Sequence, residues 1–289
     1  MSSPPPPTTT PPPPVSPTTC LLSYPAPHVL LVTINRPRAH NALTFAAHWE
    51  LDAVFDWLDR EPTLRVAVVT GAGDKAFCAG QDLIEVERLR AGPARPPAEA
   101  GSVRLPPGGF AGLSRRKGKK PVIAAVNGLA LGGGFEIVLN CDMIVASPTA
   151  TFGLPEALRG IYAAAGGPAR LVRTVGLPLA SEIALAGRVL SAAEALSARL
   201  VNRVADRPGT EAVVREALRL ADGIAAISPD AAVVTRAALR EAWERGNVEA
   251  ATESVLERYH AALMEAENTR EGLAAFKEKR KPVWKPSKL

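Results

Sequence analysis

The chain has 289 residues, 47% of them apolar and 22% charged, enough to bury the core of one or two domains. A net charge of +5 and a pI near 9.3 favour anionic partners, whether a phosphorylated cofactor, a nucleic acid or a membrane surface, without choosing among them. Three cysteines, Cys20, Cys78 and Cys141, lack CxxC spacing, so neither a disulfide framework nor a metal site is suggested.

The first 27 residues hold eleven of the 27 prolines, and no charged residue precedes Arg36. That composition predicts a disordered or polyproline-like arm over 1–27. It has neither the arginines of a mitochondrial transit peptide nor the basic start and apolar core of a secretory signal. Residues 28–34, 64–70 and 121–126 are short runs rich in Val, Ile and Leu, bounded by Pro, Gly or Asn, and they predict buried strands. Between the first two, residues 44–58 place Ala47, Leu51, Val54, Phe55 and Leu58 at helical spacing. Strands alternating with helices make this half α/β. Residues 91–108, rich in Ala, Gly, Pro and Arg, predict a mobile loop bordering a substrate entrance. The uncharged stretch 121–135 is interrupted by Asn127 and glycines and is too short to cross a bilayer, so no membrane insertion is expected. Beyond Pro178 the pattern turns helical, with segments at 211–226, 230–245, 250–265 and 270–281. The expected organisation is thus an arm over 1–27, a core over 28–205, a helical region over 206–283 and an exposed tail over 284–289. That tail carries Ser287, Lys288 and Leu289, a peroxisomal address that implies an import receptor and the peroxisomal matrix.

Two glutamates stand out, each behind its own backbone-shaping prelude. Gly132, Gly133, Gly134 and Phe135 precede Glu136, and Phe152, Gly153, Leu154 and Pro155 precede Glu156. Glycines let the chain approach a ligand with its N–H groups free, and proline fixes φ ahead of the second acid. Taken alone, Glu136 also fits a first-turn helix glutamate and Glu156 a helix cap. None of the four histidines lies in these segments, so no nucleophile–histidine arrangement is suggested. Cys78 fits a small packing residue better than a nucleophile.

Several separated segments, in order, resemble the crotonase, or enoyl-CoA hydratase and isomerase, superfamily. They are Asn35, Arg36 and Pro37 with Asn41, Ala42 and Leu43; residues 77–83; residues 120–134 with Glu136; residues 152–156; and residues 276–281. The resemblance covers about residues 28–283. It implies a crotonase-like spiral of ββα units with a helical C-terminal region, assembled as a homotrimer or dimer of trimers. The implied partner is an acyl-CoA thioester, with coenzyme A carried by the substrate and no separate cofactor. Charge that develops on a thioester oxygen needs waiting donors. By resemblance these are the backbone N–H groups of Gln81 and Gly133, the latter at a helix start. The same pattern gives Glu136 the activation of water and Glu156 the delivery of a proton to the α-carbon. Two such acids tend to hold one proton between them. Substrate or CoA contacts are implied for Arg38, Ala79, Asp82, Leu83, Gly132, Ala164 and Lys281. The basic residues at 115–120 and 277–281 are further candidates for the CoA phosphates, and Trp284 lies near adenine or covers the C-terminal helix.

The chain departs from common hydratases at Gln81, where many carry alanine, and at Ala163, Ala164 and Ala165, where a proline, a glycine and an alanine are usual. With Tyr162 these changes point to a short, branched or oxygenated acyl group. The expected activity is hydration or dehydration of an acyl-CoA by a carbon–oxygen lyase. Alternatives are a double-bond isomerase, a carbon–carbon bond-cleaving member, or a noncatalytic CoA- or RNA-binding homologue. Nucleic acid is not expected, because only Phe110 offers an aromatic ring near the 115–120 cluster.

Overall fold

A computed structural model describes residues 17–91 and 104–289. Most of the proline-rich arm and most of the expected entrance loop lie outside these described residues. Strands β1 (Cys20–Ala26) and β2 (Val29–Ile34) lead through a 3-10 turn at Pro37–Ala39 into α1 (Phe45–Arg60). Next come β3 (Val66–Gly71), β4 (Ala76–Cys78) and α2 (Leu83–Ala91), then β5 (Val122–Val126), β6 (Leu129–Leu131) and α3 (Gly133–Asn140). A third passage has β7 (Met143–Ala146), β8 (Thr151–Gly153) and a 3-10 turn at Pro155–Arg159. The first strand of each passage enters one sheet, ordered β1-β2-β3-β5-β7 and closed by Arg203–Val204, and the second enters another, ordered β4-β6-β8 and closed by Leu190–Ser191. This alternation is the expected spiral of ββα units. It stacks the C-terminal ends of β4, β6 and β8 beside one another.

The remaining elements are α4 (Gly167–Val175), α5 (Leu177–Leu185), β9 (Leu190–Ser191), α6 (Ala192–Ser197) and β10 (Arg203–Val204). The C-terminal region comprises α7 (Thr210–Ala225), α8 (Pro229–Glu244), α9 (Val248–Val255), a π turn at Leu256–His260, α10 (Ala261–Glu265) and α11 (Glu267–Glu278). Strands β9 and β10 interrupt the half expected to be helical; two residues each are too few to leave an alternating signature.

The larger sheet is buried on both faces, which is why its strands read as unbroken apolar runs. Ala67, Val69, Val122 and Ala124 join the main core, while Val66, Val68, Ile123 and Ala125 pack with Ala212, Val213, Ala217 and Ala221 of α7. Buried amides then fix the turns between sheets. Asn127 Oδ1 accepts from Gly71 N–H at 3.1 Å while its Nδ2 donates to the carbonyls of Gly73 and Ala76. Asn41 likewise accepts from Arg36 N–H and donates to Ala72 and Ala76 oxygens. The Asn35–Arg36–Pro37 and Asn41 motif is therefore scaffold for the β4 end.

One expectation needs correction. The arm does not run to residue 27: Cys20–Ala26 is a strand, antiparallel to β2, with Cys20 buried and Thr19 N–H donating to Glu50 at 2.6 Å. An edge strand tolerates Pro25 because its outer side has no ladder to complete. The tail is exposed at Lys285, Pro286 and Lys288 and is anchored along the surface of the body. Ser287 Oγ donates to buried Asp230 at 2.5 Å, Lys285 N–H donates to buried Asn268 at 2.9 Å, and Lys119 Nζ donates to the Leu289 carbonyl at 2.9 Å. Trp284 packs on α11, its ring against Gly272 and its Nε1 donating to the Ala226 carbonyl at 2.8 Å.

One carboxylate docks α8 on the core. Asp142 accepts from Val122 N–H at 2.8 Å and pairs with Arg236 at 3.0 Å and Arg240 at 2.9 Å. Those arginines hold its carboxyl below the usual carboxylate range against the opposing effect of burial. Asp142→Ala strands two part-buried guanidinium groups and is expected to cost about 3–5 kcal/mol. A urea-denaturation midpoint unchanged from wild type would contradict this docking role.

Candidate active site

The loop ends of β4 and β6 meet. Gly80, with φ +97°, lies so close to the second loop that a Cβ there would sit 3.0 Å from the Leu131 carbonyl and 3.3 Å from Gly133 N. Gln81 forms a parallel bridge with Leu43 in which Leu43 N–H donates to Gly80 O and Asp82 N–H donates to Leu43 O. The Gln81 N–H points away from that bridge. Gly133 opens α3, where the first N–H groups have no intrahelical acceptor. Among the described residues neither N–H is engaged by a protein acceptor. Two adjacent donors, one at the positive end of a helix, can bind an oxygen that gains negative charge.

Glu136 stands in the first turn of α3 and is 3% exposed. Its Oε1 accepts from Gly167 N–H at 2.7 Å, and a Cβ at Gly167 would lie 2.7 Å from Glu136 Cγ, so the start of α4 grips the carboxyl closely. Burial pushes the Glu136 pKa up to about 7; the Gly167 hydrogen bond opposes this and the nearby Glu156 adds to it. Glu156 follows Pro155 in the turn after β8, and burial raises its pKa as well. Its Oε2 is buried with no protein partner among the described residues. Gly132 brings the two acid-bearing loops together: its φ of +56° with ψ −129° suits glycine alone, and an added Cβ would lie 3.0 Å from Glu156 Oε1. Its N–H also donates to Gly153 O at 2.9 Å, tying the start of α3 to β8.

One pocket of about 350 Å³ unites most of the expected residues: Ala79, Gln81, Leu83, Gly132, Gly133, Glu136, Glu156 and Ala164 all line it. Arg159, Ile161 and Tyr162 add a rim of mixed character. Three expected substrate contacts lie outside that lining. Asp82 pairs with Arg36 at 3.0 Å and accepts from Glu85 N–H at 3.3 Å, so it caps α2 and braces the loop. Arg38 sits in the 3-10 turn after β2, and Lys281 lies beyond α11. Within the basic cluster, buried Arg116 pairs with Asp59 at 2.6 Å, and Lys120 donates to the carbonyls of Leu58 and Glu61. These two cations are committed to the scaffold. Cys78 is wholly buried and its thiol is pushed up to about 12 by burial, which removes it as a nucleophile at neutral pH.

Sequence reasoning missed His48, which lies behind Gln81 with Nε2 2.9 Å from Gln81 Oε1. The signal was present: His48 precedes Leu51 and Phe55 by three and seven residues, on the apolar face of α1.

A family model described as enoyl-CoA hydratase/isomerase matches residues 26–287. The chain is 50% identical over 269 residues to a mevalonyl-coenzyme A hydratase of Beauveria bassiana, covering 93% of this chain and 95% of that protein. It is 46% identical over 270 residues to the mevalonyl-coenzyme A hydratase of Aspergillus fumigatus, covering 93% and 96%. A carnitinyl-CoA dehydratase of Proteus mirabilis is 40% identical over 265 residues, covering 89% and 95%. Among solved structures, an enoyl-CoA hydratase from Bacillus anthracis superposes with a TM-score of 0.82 at 34% identity, covering 93% of this chain and all of that one. The two-sheet spiral, the paired loops and these matches agree: the chain belongs to the enoyl-CoA hydratase/isomerase family.

Proposed function

We propose that the protein catalyses reversible hydration of a 2-enoyl-CoA, with a β-hydroxyacyl-CoA of the mevalonyl type as its substrate in the dehydrating direction. The observation that carries this reading is one buried and one half-buried carboxyl group lining one pocket with two backbone N–H groups that, among the described residues, no protein acceptor engages. In hydration the thioester oxygen accepts from Gln81 and Gly133 N–H, which stabilises the enolate-like charge as it forms. Glu136 accepts a proton from water as the oxygen bonds to the β-carbon, and Glu156 gives a proton to the α-carbon on the same face. The reverse sequence removes the α-proton and returns water. A double-bond isomerase needs proton relocation alone; keeping a second, half-buried carboxyl beside the first, against its electrostatic cost, favours the hydratase.

The acyl group follows from the pocket and the relatives. Mevalonyl and carnitinyl groups each carry a β-hydroxyl and a second polar group farther out, and the proteins named for them are 38–50% identical to this chain. Ala164 narrows the wall, and Tyr162 and Arg159 set polar atoms at the rim. A homotrimer or dimer of trimers, covering the exposed Leu239, Leu273 and Phe276, belongs to the same proposal. So does the peroxisomal matrix, with an import receptor that must compete with Asp230 and Glu267 for the Ser287–Lys288–Leu289 segment.

Glu136→Gln and Glu156→Gln are each expected to lower kcat for dehydration of mevalonyl-CoA by roughly 10²–10⁴-fold. Full activity in either variant would remove that residue from the mechanism. The raised pKa of Glu136 also has a stability consequence. Its ordinary value is 4.5 and its folded value about 7, so the folded state holds the proton longer than the unfolded chain. Stability from the protonated form is complete below about pH 4.5 and is lost as pH rises through about 7. Glu136→Gln should therefore match wild type near pH 4 and exceed it at pH 8 by up to about 3 kcal/mol, while remaining inactive. Equal unfolding free energies at pH 8 would show that no buried charge is being relieved.

A further inference from the structure

His48 is wholly buried, and both of its ring nitrogens are used. The Ala111 N–H donates to Nδ1 at 3.2 Å, which leaves Nδ1 bare and puts the proton on Nε2. Nε2–H therefore donates to Gln81 Oε1 at 2.9 Å. The Gln81 amide nitrogen in turn donates toward Glu85 Oε2 at 3.4 Å, and the same Glu85 oxygen accepts from Phe45 N–H at 2.8 Å. This chain of bonds fixes the side chain of residue 81 and hence the direction of its backbone N–H.

The imidazole reaches the second loop as well. Its centroid lies 4.3 Å from that of Phe110, and the Phe110 ring lies against Gly133 so tightly that a Cβ there would land 2.5 Å from a ring carbon. Ala111, which holds Nδ1, has φ +56°, a conformation uncommon for alanine that this hydrogen bond helps to maintain. One side chain thus touches the supports of both N–H donors. A leucine would fill the volume, but it would leave the Gln81 carbonyl and the Ala111 N–H without a partner.

We propose that His48 is a positioning residue that couples the two halves of the oxyanion hole, holding Gln81 by hydrogen bond and Gly133 through Phe110. The proposal rests on the reading of Gln81 and Gly133 N–H as the thioester's donors. It also gives the glutamine at position 81 a purpose: its side chain serves as the handle by which α1 sets the loop.

Side-chain length provides the test. An asparagine amide at position 48 falls near the site of Nδ1 and keeps the Ala111 contact, whereas a glutamine amide reaches the site of Nε2 and keeps the Gln81 contact. His48→Asn and Gln81→Ala are expected to lower kcat for mevalonyl-CoA dehydration by roughly 10–100-fold, with KM changed less than about threefold. His48→Gln should stay within about threefold of wild type. A structural filler would not move the second readout, the infrared carbonyl stretch of bound butyryl-CoA, which cannot be hydrated. Its shift to lower frequency should be present in wild type and His48→Gln and reduced in His48→Asn and Gln81→Ala. Should His48→Asn fail to fold, Gln81→Ala at the pocket wall carries the same comparison. Wild-type carbonyl shift and kcat retained in both His48→Asn and Gln81→Ala would overturn the coupling. A wild type that neither dehydrates mevalonyl-CoA nor shifts the carbonyl would instead overturn the oxyanion reading on which it rests.

Discussion

Everything in this fold is arranged around the cost of withdrawing two neighbouring carboxyl groups from water, Glu136 fully and Glu156 in part. Desolvation raises the pKa of both, and their mutual repulsion adds to the rise at Glu136. The chain lowers that cost at Glu136 with the Gly167 N–H and leaves one oxygen of Glu156 buried without a protein partner among the described residues. A pair held this way retains a proton near neutral pH and can give or take one with little penalty. Such a site is destabilising to the fold and useful to proton transfer for the same reason.

The scaffold meets that cost by rigidity elsewhere. Three strands of the smaller sheet end side by side, and the turns that bring them there are pinned by Asn41 and Asn127, whose amides satisfy buried backbone groups on neighbouring passages. Glycine stands where the loops touch, at Gly80, Gly132 and Gly133, because a single methyl group would separate a donor from an acid or from its supporting ring. The C-terminal helices are locked to the same core by Asp142 and its two arginines. Precision at the pocket is thus inherited from polar contacts well behind it.

Much of this was legible in the chain. Unbroken apolar runs point to strands buried on both faces, and the glycine and proline preludes mark Glu136 and Glu156. What escaped did so for identifiable reasons. The Cys20–Ala26 strand hid within a proline-rich stretch because an edge strand needs only one partner. Asp82 sits in a motif next to Gln81, and spacing alone could not tell a ligand contact from an ion pair with Arg36. The anchoring of the exposed tail was hidden because its partners, Asp230 and Asn268, lie far away in sequence. His48 lies outside the glutamate segments, and only the three-dimensional approach of Gln81 revealed its partner.

The central claim is that water itself is added and removed in this pocket, and isotope labelling tests it most directly. The dehydrated form of mevalonyl-CoA would be incubated with the protein in doubly labelled water, D₂¹⁸O, and the product analysed by mass spectrometry. The account predicts a β-hydroxyacyl-CoA carrying ¹⁸O on the β-carbon and deuterium on the α-carbon of the same molecule. Deuterium incorporation or double-bond migration without ¹⁸O would contradict it and leave a proton-moving isomerase in its place.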